Sequence, residues 1–383
     1  MEIIKIGEAC DILNGFAFKS KNYVDSGIRI IRIANVQKGY IEDNTPAFYP
    51  LSTNGLDKYM LKSGDLLISL TGNVGRVALL DKEFLPAALN QRVACLRLKS
   101  NFIDKKYLFH ILNSDFFEQK CIRSSKGVAQ KNMSTEWLKE YEIPLYSAKE
   151  QQKIAATLDK LQSIITHRRT QLEKLDLLVK ARFVEMFGDP EFNNYNWDTF
   201  KMAELCTVSS SKRVYQSELT NEGVPFLRIS DLVNRMDYNT ETCDLFISEE
   251  KYSDLLNNGL VPQKDDILVT ARGTLGRCYI VKDTDRFYFQ DGMITWLSSY
   301  SEKIIPVYIS YLFSMHGIKK QIEEMQAGST VAYLSIAMTK KLSIMLPPLD
   351  LQTQFADFVQ QVDKSRFITS KEKIRRVKFY DKF

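Results

Sequence analysis

The sequence predicts an α/β protein made of two similar mixed α/β modules, joined by two long antiparallel helices of coiled-coil type and related by an approximate two-fold axis. Three observations lead there. The second half of the chain repeats the first in register, each copy runs from short β-like segments to helices, and a heptad seam follows the first copy.

The repeat is legible in separated segments. Lys5-Ile6-Gly7-Glu8-Ala9-Cys10 answers to Lys201-Met202-Ala203-Glu204-Leu205-Cys206, and Ile28-Arg29-Ile30-Ile31-Arg32-Ile33 to Val224-Pro225-Phe226-Leu227-Arg228-Ile229, both at an offset of 196. Further on the offset settles at 201. There Gly64-Asp65-Leu66-Leu67-Ile68 matches Asp265-Asp266-Ile267-Leu268-Val269, and Gly72-Asn73-Val74-Gly75-Arg76 matches Gly273-Thr274-Leu275-Gly276-Arg277. A register kept through such different segments marks a duplicated module.

Within each copy, Asp65–Leu70 and Val77–Leu80, and again Ile267–Thr270 and Cys278–Val281, are apolar runs separated by a glycine-bearing turn, the pattern of strand, turn and strand. Tyr107–Leu112 with Phe116 and Phe117, and Tyr308–Phe313 with Ile318, space their apolar residues three or four apart, which predicts helices with one inward face. After the first copy, Leu158, Leu161, Ile165, Leu172, Leu175, Val179 and Met186 alternate three- and four-residue steps, with Arg168 and Arg182 at the remaining seam positions. This predicts a helix from Lys149 to Phe187, roughly 55 to 60 Å long, stopped by Gly188-Asp189-Pro190. Leu351, Phe355, Phe358, Val359 and Val362 open a matching helix whose seam decays after Lys364. The expected organisation is thus a first module over 1–148, a central helix over 149–190, a second module over 191–349 and a C-terminal helix over 350–383. Antiparallel pairing of the helices would hold the modules at opposite ends.

The bulk composition narrows the function classes. The chain is 44% hydrophobic and 26% charged, which suits a globular protein, and no apolar run is long enough to span a membrane. With no signal-peptide pattern at the start, a cytoplasmic protein is expected. Six scattered cysteines without a CxxC pair, and three histidines, argue for reduced thiols and no metal site. The net charge of +5 permits nucleic acid as a partner without requiring it. The Walker A pattern is absent, and the Gly-x-x-Gly turns lack dinucleotide-binding spacing. The single Pro-Pro, in Leu346-Pro347-Pro348-Leu349, lacks the preceding Asn or Asp of an adenine methyltransferase motif. No catalytic residue and no cofactor are expected.

With its repeat and strut in place, the chain resembles the specificity subunits of type I restriction-modification systems over essentially its whole length. The resemblance rests on the paired Gly72-Asn73-Val74-Gly75 and Gly273-Thr274-Leu275-Gly276 turns, on Lys149-Glu150-Gln151-Gln152-Lys153-Ile154-Ala155 and on Phe183-Val184-Glu185-Met186-Phe187-Gly188-Asp189-Pro190. It implies two target recognition domains, each reading one half of a split double-stranded DNA sequence, and helices that set the gap. It also implies docking of two DNA adenine methyltransferase subunits, with motor and nuclease restriction subunits joining through that core. Leu351 and Thr353 stand where the first copy has Glu150 and Gln152, so the second docking surface is expected to differ. A helical scaffold that assembles other proteins without reading DNA is the alternative.

For DNA reading the useful residues are polar and cationic side chains on loops of a rigid scaffold. Asn73 and Arg76 in the first turn, and Arg272, Thr274 and Arg277 in the second, meet that description; the other reading is turn geometry with solvated arginines. Lys126, Gln130 and Lys131 lie in a polar, glycine-bearing loop and are expected DNA contacts. Arg32 and Arg228 stand at equivalent positions in β-like segments, where DNA contact and a structural ion pair are both open. For Asn90-Gln91-Arg92 and Gln290, base reading and hydrogen bonding within the fold are likewise both open.

Overall fold

The computed structural model describes residues 2–99, 101–125, 132–326 and 332–380, with side chains described as far as Arg366. The chain divides into two units, Met1–His167 and Arg168–Phe383.

In the first unit a four-stranded antiparallel sheet runs in the order Cys10–Asn14, Val93–Leu98, Leu66–Ser69, Val77–Leu79. Its central strands read as unbroken apolar runs because both faces are covered. Leu66, Ile68, Ala94 and Leu96 face a helical layer with Leu108, Leu112, Phe117 and Leu138, whereas Leu67, Ala78, Val93 and Cys95 face Ile31, Ala87 and Leu89. The latter belong to a smaller sheet, Phe48–Tyr49, Ile28–Ile31 and Ala87–Leu89. A third pairing, Glu2–Lys5 with Glu142–Leu145, ties the start of the unit to its end. The helix expected across Tyr107–Phe117 is two helices, Lys105–Leu112 and Asp115–Ser124. Ser114 causes the break by capping the second, its hydroxyl accepting from the Phe117 amide at 3.2 Å. Phe116 therefore points outward, 67% exposed, and only Phe117 is buried.

The second unit repeats this plan. Its four-stranded sheet has the order Thr207–Ser209, Ile294–Ser298, Ile267–Thr270, Cys278–Ile280. Three helices follow, Pro306–Leu312, His316–Met325 and Ile336–Lys341, and Thr199–Lys201 pairs with Ser343–Met345. The five-residue change of offset has a structural location. Between Val224–Leu227 and Ile267–Thr270 the second unit is five residues longer and forms the helices Ile229–Tyr238 and Glu249–Asn257, where the first, apart from the strand Phe48–Tyr49, has loops and a single 3-10 turn at Asp57–Tyr59.

The long helix runs Ala148–Phe187, 40 residues, one residue earlier than the sequence pattern suggests. Ser147 and Glu150 form a capping box at its start, with the Ser147 amide donating to Glu150 at 3.1 Å and the Glu150 amide to the Ser147 hydroxyl at 3.4 Å. Gly188 closes the other end at φ +80, its amide donating to the Val184 carbonyl at 2.8 Å. The expected seam needs correction toward that end. Val179, Phe183 and Phe187 are fully buried, a four-residue stride, so Phe183 takes the inward place assigned to Arg182. Arg182 instead pairs with Glu185 at 2.9 Å and lies over the Phe358 ring. Within the second unit Phe183 and Phe187 pack on Phe355, while Asp176, eleven residues back from Phe187, meets Arg366 of the C-terminal helix Leu349–Tyr380. The two helical segments are therefore antiparallel there.

Each long helix is fastened to its own module by one buried glutamine. Gln151 accepts from the Asp104 amide at 2.7 Å and donates to the carbonyls of Phe102 at 2.9 Å and Tyr146 at 2.8 Å. Gln352 repeats the set with the Ile305 amide at 3.1 Å and the carbonyls of Lys303 at 2.9 Å and Pro347 at 2.8 Å. All four positions keep the offset of 201. The first module adds an electrostatic tie: Asp159 on the long helix accepts from Lys106 at 2.6 Å and meets His110 Nε2 at 2.8 Å. Tyr311, which matches His110, instead packs on Phe355 at 5.3 Å between ring centres.

Replacing Gln151 or Gln352 with Leu strands three backbone groups around a buried side chain, and each variant is expected to lose about 1–3 kcal/mol in denaturant unfolding; a loss under about 0.5 kcal/mol would remove the fastening role. The bond from Lys106 holds the Asp159 carboxyl below the usual range. Because that pKa is depressed by folding, its stabilisation is present above about pH 4 and fades as pH falls. Asp159→Asn is therefore expected to cost about 0.2–1 kcal/mol at pH 7, with the difference from the parent chain vanishing in acid melts.

Candidate nucleic-acid interface

The strand directions bring the described candidate residues of each module to one end of its four-stranded sheet. In the first module Leu66–Ser69 exits into the turn at the point where Val93 begins its strand, and Ser69 is the register partner of Val93. A buried hydroxyl shapes the turn. Ser69 Oγ donates to the Asn73 carbonyl and accepts from the Arg76 amide at 3.1 Å. Thr270 does the same for the Thr274 carbonyl and the Arg277 amide, the latter at 3.0 Å. Gly75 and Gly276 lie at φ +84 and +74, and a Cβ at Gly75 would stand 2.7 Å from that of Cys121. Turn geometry thus accounts for these two glycines.

The end is closed by a backbone bridge that both modules share. Thr71 pairs with Asn132, and Arg272 with Tyr333. The Met133 amide donates to the Leu70 carbonyl at 2.8 Å and the Leu334 amide to the Ala271 carbonyl at 2.9 Å. On the far side the Asn90 amide donates to the Ile31 carbonyl at 3.2 Å and the Gln290 amide to the Leu227 carbonyl at 2.9 Å, which brings in the chain just before Arg32 and Arg228. Each sheet end therefore presents three neighbouring pieces of chain from distant parts of the sequence.

The side chains on these matched frames differ in availability. Asn73 and Thr274 are exposed, and so are Gln91 and Arg92, while Asn90 turns its Oδ1 back to the Arg92 amide at 3.3 Å. Arg76 is half-buried and donates to Gln37. Arg277 makes a two-pronged pair with Asp237 on the helix Ile229–Tyr238, which holds the Asp237 carboxyl below its usual range. Arg32 and Arg228 lie one residue beyond the strands Ile28–Ile31 and Val224–Leu227, not within them as the sequence suggests. Hydrogen bonding ends each strand there: the Arg32 amide donates to Asn35 at 2.8 Å and the Arg228 amide to Asp231 at 2.9 Å. The Arg32 guanidinium reaches the Thr45 carbonyl, and that of Arg228 is held by Asp231 at 2.9 Å and Asp244 at 3.2 Å. Arg272 is exposed, with its guanidinium carbon 5.1 Å from the centre of the Tyr333 ring. Lys126, Gln130 and Lys131 lie outside the described residues.

Sequence reasoning missed Tyr333 and Asp237. The first was detectable, because the offset of 201 sets Tyr333 opposite Asn132. Asp237 was not, since the matching stretch of the first copy forms no helix.

Among the described residues, no group of three or more potential metal ligands occurs and no helix is long and apolar enough to cross a membrane. All six cysteines are free, and burial pushes the Cys10 and Cys206 thiols up to about 12.

Comparison with known proteins supplies the family. The profile of the type I restriction modification DNA specificity domain matches residues 1–175 and again 194–378. The chain is 32% identical to the type I restriction enzyme MjaVIII specificity subunit of Methanocaldococcus jannaschii, over 46% of this chain and 42% of that protein. To the type I restriction enzyme EcoBI specificity subunit of Escherichia coli it is 22% identical over 94% of this chain and 78% of that protein. The fold matches the crystal structure of a type I restriction-modification S subunit from M. genitalium with a TM-score of 0.59, at 18% identity, covering 100% of this chain and 94% of the other. With its profile matched twice and its module folded twice, the chain belongs to the family of type I restriction-modification specificity subunits, which are the non-catalytic members of such systems.

Proposed function

We propose that this chain is the sequence-reading component of its system, each module recognising one half of an asymmetric, interrupted target in double-stranded DNA. One observation carries the reading: two identically framed sheet ends bear different side chains. Thr71, Asn132 and Arg92 in the first correspond to Arg272, Tyr333 and Met293 in the second. A shared frame would present loops to a duplex in the same manner, and the differing side chains would read different bases.

The long helices would then fix the separation of the half-sites and dock two adenine methyltransferase subunits, through which motor and nuclease subunits join. The buried glutamines support a rigid attachment, since a helix fastened at its root transmits its length to the module it carries. Methyl transfer and cleavage would belong to those partners.

A reader that neutralises several phosphates loses affinity steeply with salt. Titration of the full chain with duplex DNA is expected to show a fall of at least about 10-fold between 50 and 200 mM salt; no affinity for DNA at either salt would favour a protein scaffold. Four residues inserted between Leu161 and Val179 lengthen the strut by about 6 Å. The gap in the methylated target is expected to change or assembly to be lost, and an unaltered gap would remove the ruler role.

A further inference from the structure

The arginines of the second sheet end are not equivalent. Arg277 is locked to Asp237, and Arg228 to Asp231 and Asp244, so their guanidinium forks are already occupied by carboxylates. Among the described residues, Arg272 has neither constraint. It stands exposed where the chain enters the turn, with its guanidinium over the ring of Tyr333.

The contact is built into the frame. Arg272 and Tyr333 are register partners in the bridge that closes the sheet end, and the Leu334 amide fixes the next position on the Ala271 carbonyl at 2.9 Å. A guanidinium seated over a ring has already given up part of the rotamer freedom that binding would otherwise cost, and its N–H donors stay available to a ligand. At the corresponding place in the first module, Thr71 faces Asn132, which offers neither cation nor ring.

We infer that Arg272 is a base-reading residue of the second module, directed at the major-groove edge of a guanine, and that Tyr333 is the positioning residue that pre-orients its fork. The inference rests on the proposed DNA-reading role and assigns that role's chemistry in one half-site. Guanine offers the O6 and N7 acceptors that a planar two-pronged donor fits, a fit that a lysine ammonium cannot reproduce. Arg277 and Arg228, by contrast, hold the frame.

The test selects binding sites from a pool of random duplexes, using the full chain purified with the subunits that accompany it. The parent chain is expected to enrich a two-part target. Arg272→Ala is expected to lose preference at a single G·C pair in one half, on the order of 10- to 100-fold, with the other half unchanged. Arg272→Lys, which keeps the charge, is expected to retain general affinity and lose the same preference. Tyr333→Phe should behave as the parent, and Tyr333→Leu should weaken selectivity at that same pair. Arg277→Ala should leave every base preference in place. Equal weakening on all duplexes by Arg272→Ala, or restoration by Arg272→Lys, would make Arg272 a phosphate contact and overturn the inference while leaving DNA reading intact. Failure of the parent chain to enrich any sequence would remove the DNA-reading role, and the inference with it.

Discussion

A buried primary amide at the root of each long helix is the constraint on which the architecture rests. Gln151 and Gln352 are completely enclosed, and each satisfies one amide and two carbonyls that would otherwise be stranded where chain segments meet. The two carbonyls and the amide come from the approach to a helix and from the strand end that precedes the strut. One side chain therefore fixes the direction in which the helix leaves its module. An apolar residue of similar size would fill the space but leave that direction unspecified.

Around this joint the modules keep one backbone plan while changing the chemistry that supports it. Asp65 and Asp266 both accept a backbone amide at 2.8 Å, from Lys62 and Gln263. In the first module the carboxylate is paired with Arg97, whereas in the second the indole of Trp296 donates to it at 2.8 Å and burial raises its pKa. Similarly, the Asp159 tie to Lys106 and His110 gives way to Tyr311 against Phe355. Geometry is retained where the chain must turn or join, and composition drifts where several chemistries satisfy the same space.

The sequence revealed the duplication, the order of elements and the long helix because all three are written in periodicity, which survives substitution. The hairpins followed from apolar runs broken at Gly72–Gly75 and Gly273–Gly276. What it concealed was tertiary. The break at Ser114 hides inside a continuous apolar pattern, since a capping hydroxyl changes direction without changing hydrophobicity. Phe183 displaced Arg182 from the seam because the helix end enters a module core and leaves heptad spacing for the ordinary helical stride. At the candidate interface, residue type singled out the arginines but not which of them have carboxylate partners. Asp237 and Asp231 are the partners of Arg277 and Arg228, and they lie on a helix where the first half has none, with only Asn35 echoing Asp231.

The bridge that closes each sheet end, Thr71 to Asn132 and Arg272 to Tyr333, is made by main-chain atoms. Such a clasp is blind to the identity of the residues it joins. Substitutions can therefore accumulate at the exposed end without loosening the fold beneath, and side-chain chemistry there is free to diverge at little risk to folding.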